Sequence, residues 1–425
     1  MGEVDKIRVR EFKAEIDTAA VEEMERQCDV GPATTGGKDD IAGKKKKKKD
    51  KRKEQASMFC DNMGDPLCRV RHSPDYVMLV AEHGKEMVGV IRASIKTVTR
   101  GRKDAEGCPV YAKVAYILGL RVSPNHRRMG IASRLVEAVE ECCRKEGAEY
   151  AYMATERSNT ASLNLFTAKF SYTPFRFPSV LVQPVHAHPL TLMTRGLPAT
   201  TILRLSPALA EPLYRRLFST SSEFFPKDIG AVLANPLTLG TFMAVPSSCA
   251  TTSHWDPRRS DTGGLPPSFA VMSVWNNKDV YKMQVKGASA AAKALVRWAR
   301  AADERMPWMG IPSMPDVFRP FGVYLMYGLH AEGGAGPALV RCLCRLAHNM
   351  AREDPGCAAV VAEVGRSDPV RAGVPHWRRL SWDEDFWCMK RLSQPTNRDG
   401  GPDDYADWVR SQPSTDVVFV DPRDF

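Results

Sequence analysis

Residues 114–132, VAYILGLRVSPNHRRMGIA, constrain the fold more than any other stretch of the chain. Val114 to Val122 is apolar at successive positions, the pattern of a central strand covered on both faces. Ser123-Pro124-Asn125-His126 breaks it, and a helix begins near Gly130 with an apolar stripe of Ile131, Leu135, Val136 and Val139. Arg144 and Lys145 fall in its last turn and Gly147 is a suitable stop. A buried strand running through a tight turn into an amphipathic helix implies an α/β protein with a mixed sheet.

The rest of the chain agrees. Strand patterns are expected at Lys6 to Phe12, Tyr76 to Glu82, Met87 to Val98, Tyr150 to Thr155 and 172–185, and helices at Thr18 to Cys28 and Ser158 to Lys169. Asn159 or Ser158 would cap the latter. A second series begins near Thr200. Strands are expected at Thr201 to Leu205, 239–245, 269–275, Val323 to Leu329, 358–364 and 386–392, and helices through Tyr214 and Phe218, at 288–304 and from Pro337 to Arg352. At 425 residues, two or three domains are expected.

The net charge of +10 is concentrated. Lys44 to Lys53, KKKKKKDKRK, carries nine basic residues and one acidic, so +8, which leaves +2 for everything else. A nearly neutral remainder and a tract without interleaved aromatics argue against sequence-specific nucleic-acid binding. Residues 31–57 read as a disordered insertion. The 11 cysteines form no C-x-x-C pair, no metal site is expected, and the usage suits a reducing compartment. MGEVDKIRVR lacks the apolar core of a signal peptide, Lys6 stands where a myristoylation signal has Ser or Thr, and no apolar run is long enough to span a membrane.

The chemistry sits at Arg127-Arg128-Met129-Gly130-Ile131-Ala132, an R-x-x-G-x-A turn at a helix start. A helix N-terminus presents unpaired N–H groups and the positive end of its dipole. Gly130 and the small Ala132 let an anion approach the backbone, and Arg127 and Arg128 add charge and donors. The pattern suits a pyrophosphate.

This segment resembles motif A of the GNAT N-acetyltransferases, and Asn159 to Phe166 (NTASLNLF) resembles their motif B. Longer strings, among them RHSPDYVMLVAE, EFFPKDIGAVL, VVAEVGRSDP and VDPRDF, resemble the plant HOOKLESS-type N-acetyltransferases over nearly the whole chain outside residues 33–57. The resemblance implies acetyl-CoA as acyl donor. Its acetyl and pantetheine portions would meet the backbone of Leu120, Arg121 and Val122, its pyrophosphate Arg127 through Ala132, and Asn159 would lie near the pantetheine. The N–H of Val122 would be an oxyanion donor. The family's thiolate-protonating Tyr falls at Phe166, which has no proton to give, and no carboxylate lies in residues 114–122 to act as base. Glu156 is the carboxylate closest to the site in sequence terms, with a surface or capping role as its alternative. The resemblance also implies a nuclear regulator of hormone-dependent plant growth.

The second half echoes the first. Gly333-Gly334-Ala335-Gly336-Pro337-Ala338 repeats the Gly and Ala positions of the turn without its Arg, and VGRSD echoes ERSN. The expected organisation is therefore a GNAT acetyl-CoA-binding domain over 1–195, a degenerate GNAT-like domain over 196–395 that has lost or weakened its own donor site, and a mostly loose tail over 396–425 with Val417 to Val420 as a candidate short strand. The function expected is acetyl transfer to a primary amine of a protein, histones included, or of a small molecule. The alternative is a regulatory acetyl-CoA binder with little turnover. Lys44 to Lys53 would engage an import receptor and direct the chain to the nucleus; otherwise it would be cytoplasmic.

Overall fold

The computed structural model describes residues 7–28, 57–192, 199–250, 264–382, 384–393, 408–411 and 415–425. The lysine run and its expected role lie outside them. The first half contains β1 (Ile7–Glu11), α1 (Ala14–Arg26), β2 (Ser57–Asp61), β3 (Asp75–His83), β4 (Glu86–Lys103), β5 (Pro109–Val122), α2 (Ile131–Lys145), β6 (Tyr150–Glu156), α3 (Thr160–Leu163), β7 (Thr173–Arg176) and β8 (Ser179–Pro184). The second contains β9 (Thr200–Leu205), α4 (Pro207–Phe218), β10 (Glu223–Pro226), α5 (Ile229–Ala234), β11 (Thr238–Pro246), α6 (Ser247–Ala250), β12 (Phe269–Asn276), β13 (Lys282–Lys286), α7 (Ala290–Arg305), β14 (Gly322–Glu332), α8 (Gly336–Glu353), β15 (Cys357–Val364) and β16 (Asp385–Arg391).

Two mixed sheets carry the molecule. The first runs β1-β3-β4-β5-β6-β16-β7, with β10 beside β4, and the second runs β8-β15-β14-β12-β11-β9. β5 is central, as its two-faced apolar pattern requires. Ala115 and Ile117 face the core under α2, while Val114, Tyr116 and Leu118 face a second core with Tyr152, Phe224 and Trp387. The α2 stripe of Ile131, Leu135, Val136 and Val139 is fully buried. Each such aliphatic side chain contributes roughly 1.5–3 kcal/mol of transfer free energy.

The halves exchange strands. β16, from the second half of the chain, lies between β6 and β7 of the first sheet, pairing with β6 from Asp385–Glu156 to Arg391–Tyr150. β8, from the first half, is the edge of the second sheet and pairs with β15. Residues 172–185, expected as one strand or hairpin, thus divide between two sheets. The division of the chain at residue 195 likewise does not follow the sheets, because each half completes the other's hydrogen-bonded ladder.

The expectation of a loose tail over 396–425 is corrected where the tail is described. Val418 to Asp424 are all buried, and so is Trp408. The reason is a buried charge network. Lys96 Nζ of β4 lies 2.5 Å from Asp424 and 3.2 Å from Asp421, and Arg423 reaches both Asp421 (2.7 Å) and Asp228 (2.6 Å). A buried Lys96 would be intolerable without these carboxylates, so the last residues are as structural as the strand they neutralise.

The second half repeats the first in geometry. β5 carries an extra residue opposite Ile91, with Gly119 at φ 62°, and β14 carries one opposite Met272, with Gly328 at φ 59°. The following helix begins at Ile131 in one copy and Gly336 in the other.

Candidate active site

β5 and β6 are parallel and paired only at Val114–Tyr150, Ala115–Ala151 and Tyr116–Tyr152. Beyond these they diverge. The bulge at Gly119 bends β5, and β16 holds β6 along its other edge as it turns away. No side chain other than hydrogen suits Gly119, since a Cβ there would lie 2.8 Å from Arg92 Nη1. Arg92 is itself fixed beneath the bulge by Glu25 (2.8 Å) and the carbonyl of Pro66 (2.7 Å). Divergence leaves the inner edge of β5 without a strand partner from Ile117 to Val122 and opens a cleft of about 430 Å³.

The turn at the outer end of that cleft has the expected anion geometry. Arg128 and Gly130 are both left-handed, at φ 65° and 80°. Gly130 is the N-cap of α2 with no side chain closing the helix end, and a Cβ added to it would touch nothing within 4 Å. The space beside Gly130 and the lack of a side-chain cap let an anion approach the start of α2, which fits a pyrophosphate.

Of the residues singled out from sequence, Leu120, Arg121, Val122, Arg127, Ala132, Asn159 and Phe166 line the cleft. Arg128, Met129, Gly130 and Ile131 do not; Ile131 is buried beneath α2, and Arg128 and Met129 are exposed on the turn. Asn159 caps α3 by accepting a hydrogen bond from Ser162 N–H (3.2 Å) and donates to Thr155 Oγ1 (3.1 Å). Phe166 is buried, edge-on to Tyr172 at 5.1 Å. Glu156, the expected carboxylate, does not line the cleft. Alternation along β6 puts Met153 under α2 and Tyr152 and Ala154 on the opposite face, and Glu156 follows the latter. It sits opposite Asp385 in the ladder.

Sequence inspection did not single out Arg69 or Cys28, which also line the cleft. Arg69 and Tyr116 stand at the inner end, and Cys28 at the end of α1 lines the wall. Burial, then the neighbouring Arg69, lowers the Arg121 guanidinium from its ordinary value. Burial holds the Tyr116 phenol protonated far beyond the usual tyrosine range. Nothing local in sequence marks Arg69; the paired strings LGLRV and YGLHA mark both bulges and were a usable signal for the repeat.

The second copy of the turn is closed. A Cβ at Gly333 would lie 2.2 Å from the Pro267 carbonyl, and one at Gly328 would lie 2.5 Å from the Tyr214 ring. The gap beside β14 is plugged by Val417 to Val420, leaving about 20 Å³. Among the described residues, no His, Cys, Asp or Glu side chains gather as a metal site, and no helix is long and apolar enough to cross a membrane.

A diverging parallel strand pair that leads to an open helix N-terminus suits a ligand with an extended amide chain and a pyrophosphate. The Acetyltransferase (GNAT) family profile matches residues 45–172. Probable N-acetyltransferase HLS1-like of Arabidopsis thaliana is 46% identical, across 99% of this chain and 99% of its own length. Acetyl transferase GW6a of Oryza sativa subsp. japonica is 46% identical, across 99% and 97%. Among solved structures, a GCN5-related N-acetyltransferase from Kribbella flavida covers 91% of this chain and 71% of its own at 13% identity and a TM-score of 0.43. Saccharomyces cerevisiae N-myristoyltransferase with bound myristoyl-CoA covers 92% and 80% at 9% identity and a TM-score of 0.49. The chain belongs to the HLS1-like N-acetyltransferases of the GNAT superfamily, and its class of reaction is acetyl transfer from acetyl-CoA to an amine.

Proposed function

We propose that this chain binds acetyl-CoA between β5 and β6 and acetylates a primary amine of a nuclear protein, histones included, as part of hormone-dependent growth control in a plant. The observation that carries the donor site is the free inner edge of β5 from Ile117 to Val122, which leads toward the uncapped start of α2. Its exposed peptide groups suit the amides of pantetheine, as a missing neighbouring strand would. Arg127 adds charge for the pyrophosphate, and the Val122 N–H, at the outer part of that edge, is the donor the family resemblance assigns to the oxyanion.

Calorimetry tests the site. The intact chain should bind acetyl-CoA, and Gly130→Glu should weaken binding at least tenfold, because it forces a left-handed side chain and a negative charge onto the anion's position. Unchanged affinity in a folded variant would overturn the assignment. The nuclear role rests on Lys44 to Lys53: a fluorescent fusion lacking this run should lose nuclear enrichment. A second reading, a regulatory acetyl-CoA binder with little turnover, is favoured by Phe166 in place of a hydroxyl donor and by the absence of a carboxylate from Val114 to Val122.

A further inference from the structure

On the other face of the first sheet, a pocket of about 280 Å³ meets the donor cleft at its inner end. The two share Arg69, Tyr116 and Ala154. They are thus two arms that adjoin at the last paired residues of β5 and β6. A thioester at the end of a pantetheine lying along β5 would reach this junction.

The far arm is built from the second half of the chain. Glu363 comes from β15, Asp385 and Trp387 from β16, and Trp382 from the segment before it. Glu363 accepts a hydrogen bond from Trp387 Nε1 (3.0 Å), and among the described residues neither Glu363 nor Asp385 makes a salt bridge. Asp424 also lines the arm, but Lys96 neutralises it and Tyr152 donates to it (2.7 Å). Arg69 is the cation among the lining side chains, and it lines the donor cleft as well. Two carboxylates without cations, walled by indole and phenol rings, favour an organic cation whose stem is aliphatic.

We propose that this arm is the acceptor subsite, that it takes a lysine-like primary ammonium, and that Glu363, supported by Asp385, is the base that deprotonates it. The proposal rests on the donor-site reading above. Glu363 takes one ammonium proton and releases it to solvent. The freed nitrogen lone pair forms the C–N bond to the thioester carbonyl carbon. The C–S bond breaks with its electron pair on sulfur, and the second nitrogen proton passes to the departing thiolate. A lysine amine, with a reference pKa of about 10.4, is overwhelmingly protonated at pH 7, so a base at this position removes a real part of the barrier.

Burial raises both carboxyls. Asp385 is pushed up to about 6, with Glu156 across the ladder adding to the effect. Glu363 is held well above the ordinary range, by burial first and then by Asp385, against the Trp387 hydrogen bond, with Asp424 adding to it. Arg69, Tyr116, Tyr152 and Tyr281 are the other titratable side chains of the lining, and Phe425 also lines it. An arriving ammonium would favour the ionised pair.

The test uses the intact chain with Nα-acetyl-lysine methylamide as acceptor. Acetyl-CoA affinity is measured by calorimetry and acetylation from pH 6 to 10. Glu363→Gln and Asp385→Asn should bind acetyl-CoA within about twofold of wild type. Glu363→Gln should lose roughly 30-fold or more in kcat/KM at pH 7, with the deficit shrinking toward pH 10 as free amine accumulates. Asp385→Asn should displace the acidic limb of the profile with a smaller loss. Wild-type rates and profile in Glu363→Gln would overturn the base assignment. So would a wild-type protein that binds acetyl-CoA yet never acetylates the probe. Failure of the wild type to bind acetyl-CoA would instead overturn the donor site beneath it.

Discussion

Phe166 stands where the family resemblance would put a thiolate-protonating tyrosine. It lies buried against Tyr172 on the cleft wall, where a phenol would be able to protonate a leaving thiolate. A thiol of reference pKa about 8.5 is a tolerable leaving group, so the loss is compatible with turnover. Phe166→Tyr should leave acetyl-CoA affinity unchanged and raise kcat; single-turnover measurement with saturating donor would show it. Asp385 offers a second residue-scale prediction. Its folded pKa of about 6 lies above the unfolded value. Its contribution is therefore fully present below the unfolded pKa and lost as pH rises through about 6. Wild-type stability should fall by roughly 1–3 kcal/mol between pH 4 and 7 relative to Asp385→Asn, as measured by urea denaturation at each pH.

At the scale of elements, β16 is the decisive piece. It pairs along the whole of β6, and so holds open the gap into which the donor would fit. A fragment of residues 1–195 lacks β16 and exposes both β6 and β7. It should fail to unfold cooperatively and should not bind acetyl-CoA, whereas adding the second half as a separate chain should restore both. Circular dichroism and calorimetry on the two preparations would decide this. The helix start, the α2 stripe and the Asn159 cap were legible because each depends on residues within a few positions of one another. The short strands β2, β10 and β13 were not, since each is defined by its partner rather than its own pattern.

Among the described residues, the second half repeats the strand–bulge–helix arrangement of the first, and its cleft is filled. Phe419 packs against Tyr214, Phe218, Phe225 and Tyr327, and its segment fills the second gap. Phe419→Ala should cost about 3–5 kcal/mol of stability while leaving acetyl-CoA affinity intact, which thermal unfolding with and without ligand would measure. Asp421→Ala should cost a similar amount by leaving Lys96 and Arg423 buried with one carboxylate fewer. Periodicity and turn chemistry, being local, sufficed by themselves to define the mixed α/β class, the strand–turn–helix donor motif and the weakened repeat at Gly333 to Ala338. Tertiary structure alone decided which strand neighbours which, that β8 and β16 change places, that the final residues plug one cleft, and that Glu363 and Asp385 meet Tyr116 across the first sheet. Those contacts join residues hundreds of positions apart, where side-chain type says what can be buried together but not which partner arrives.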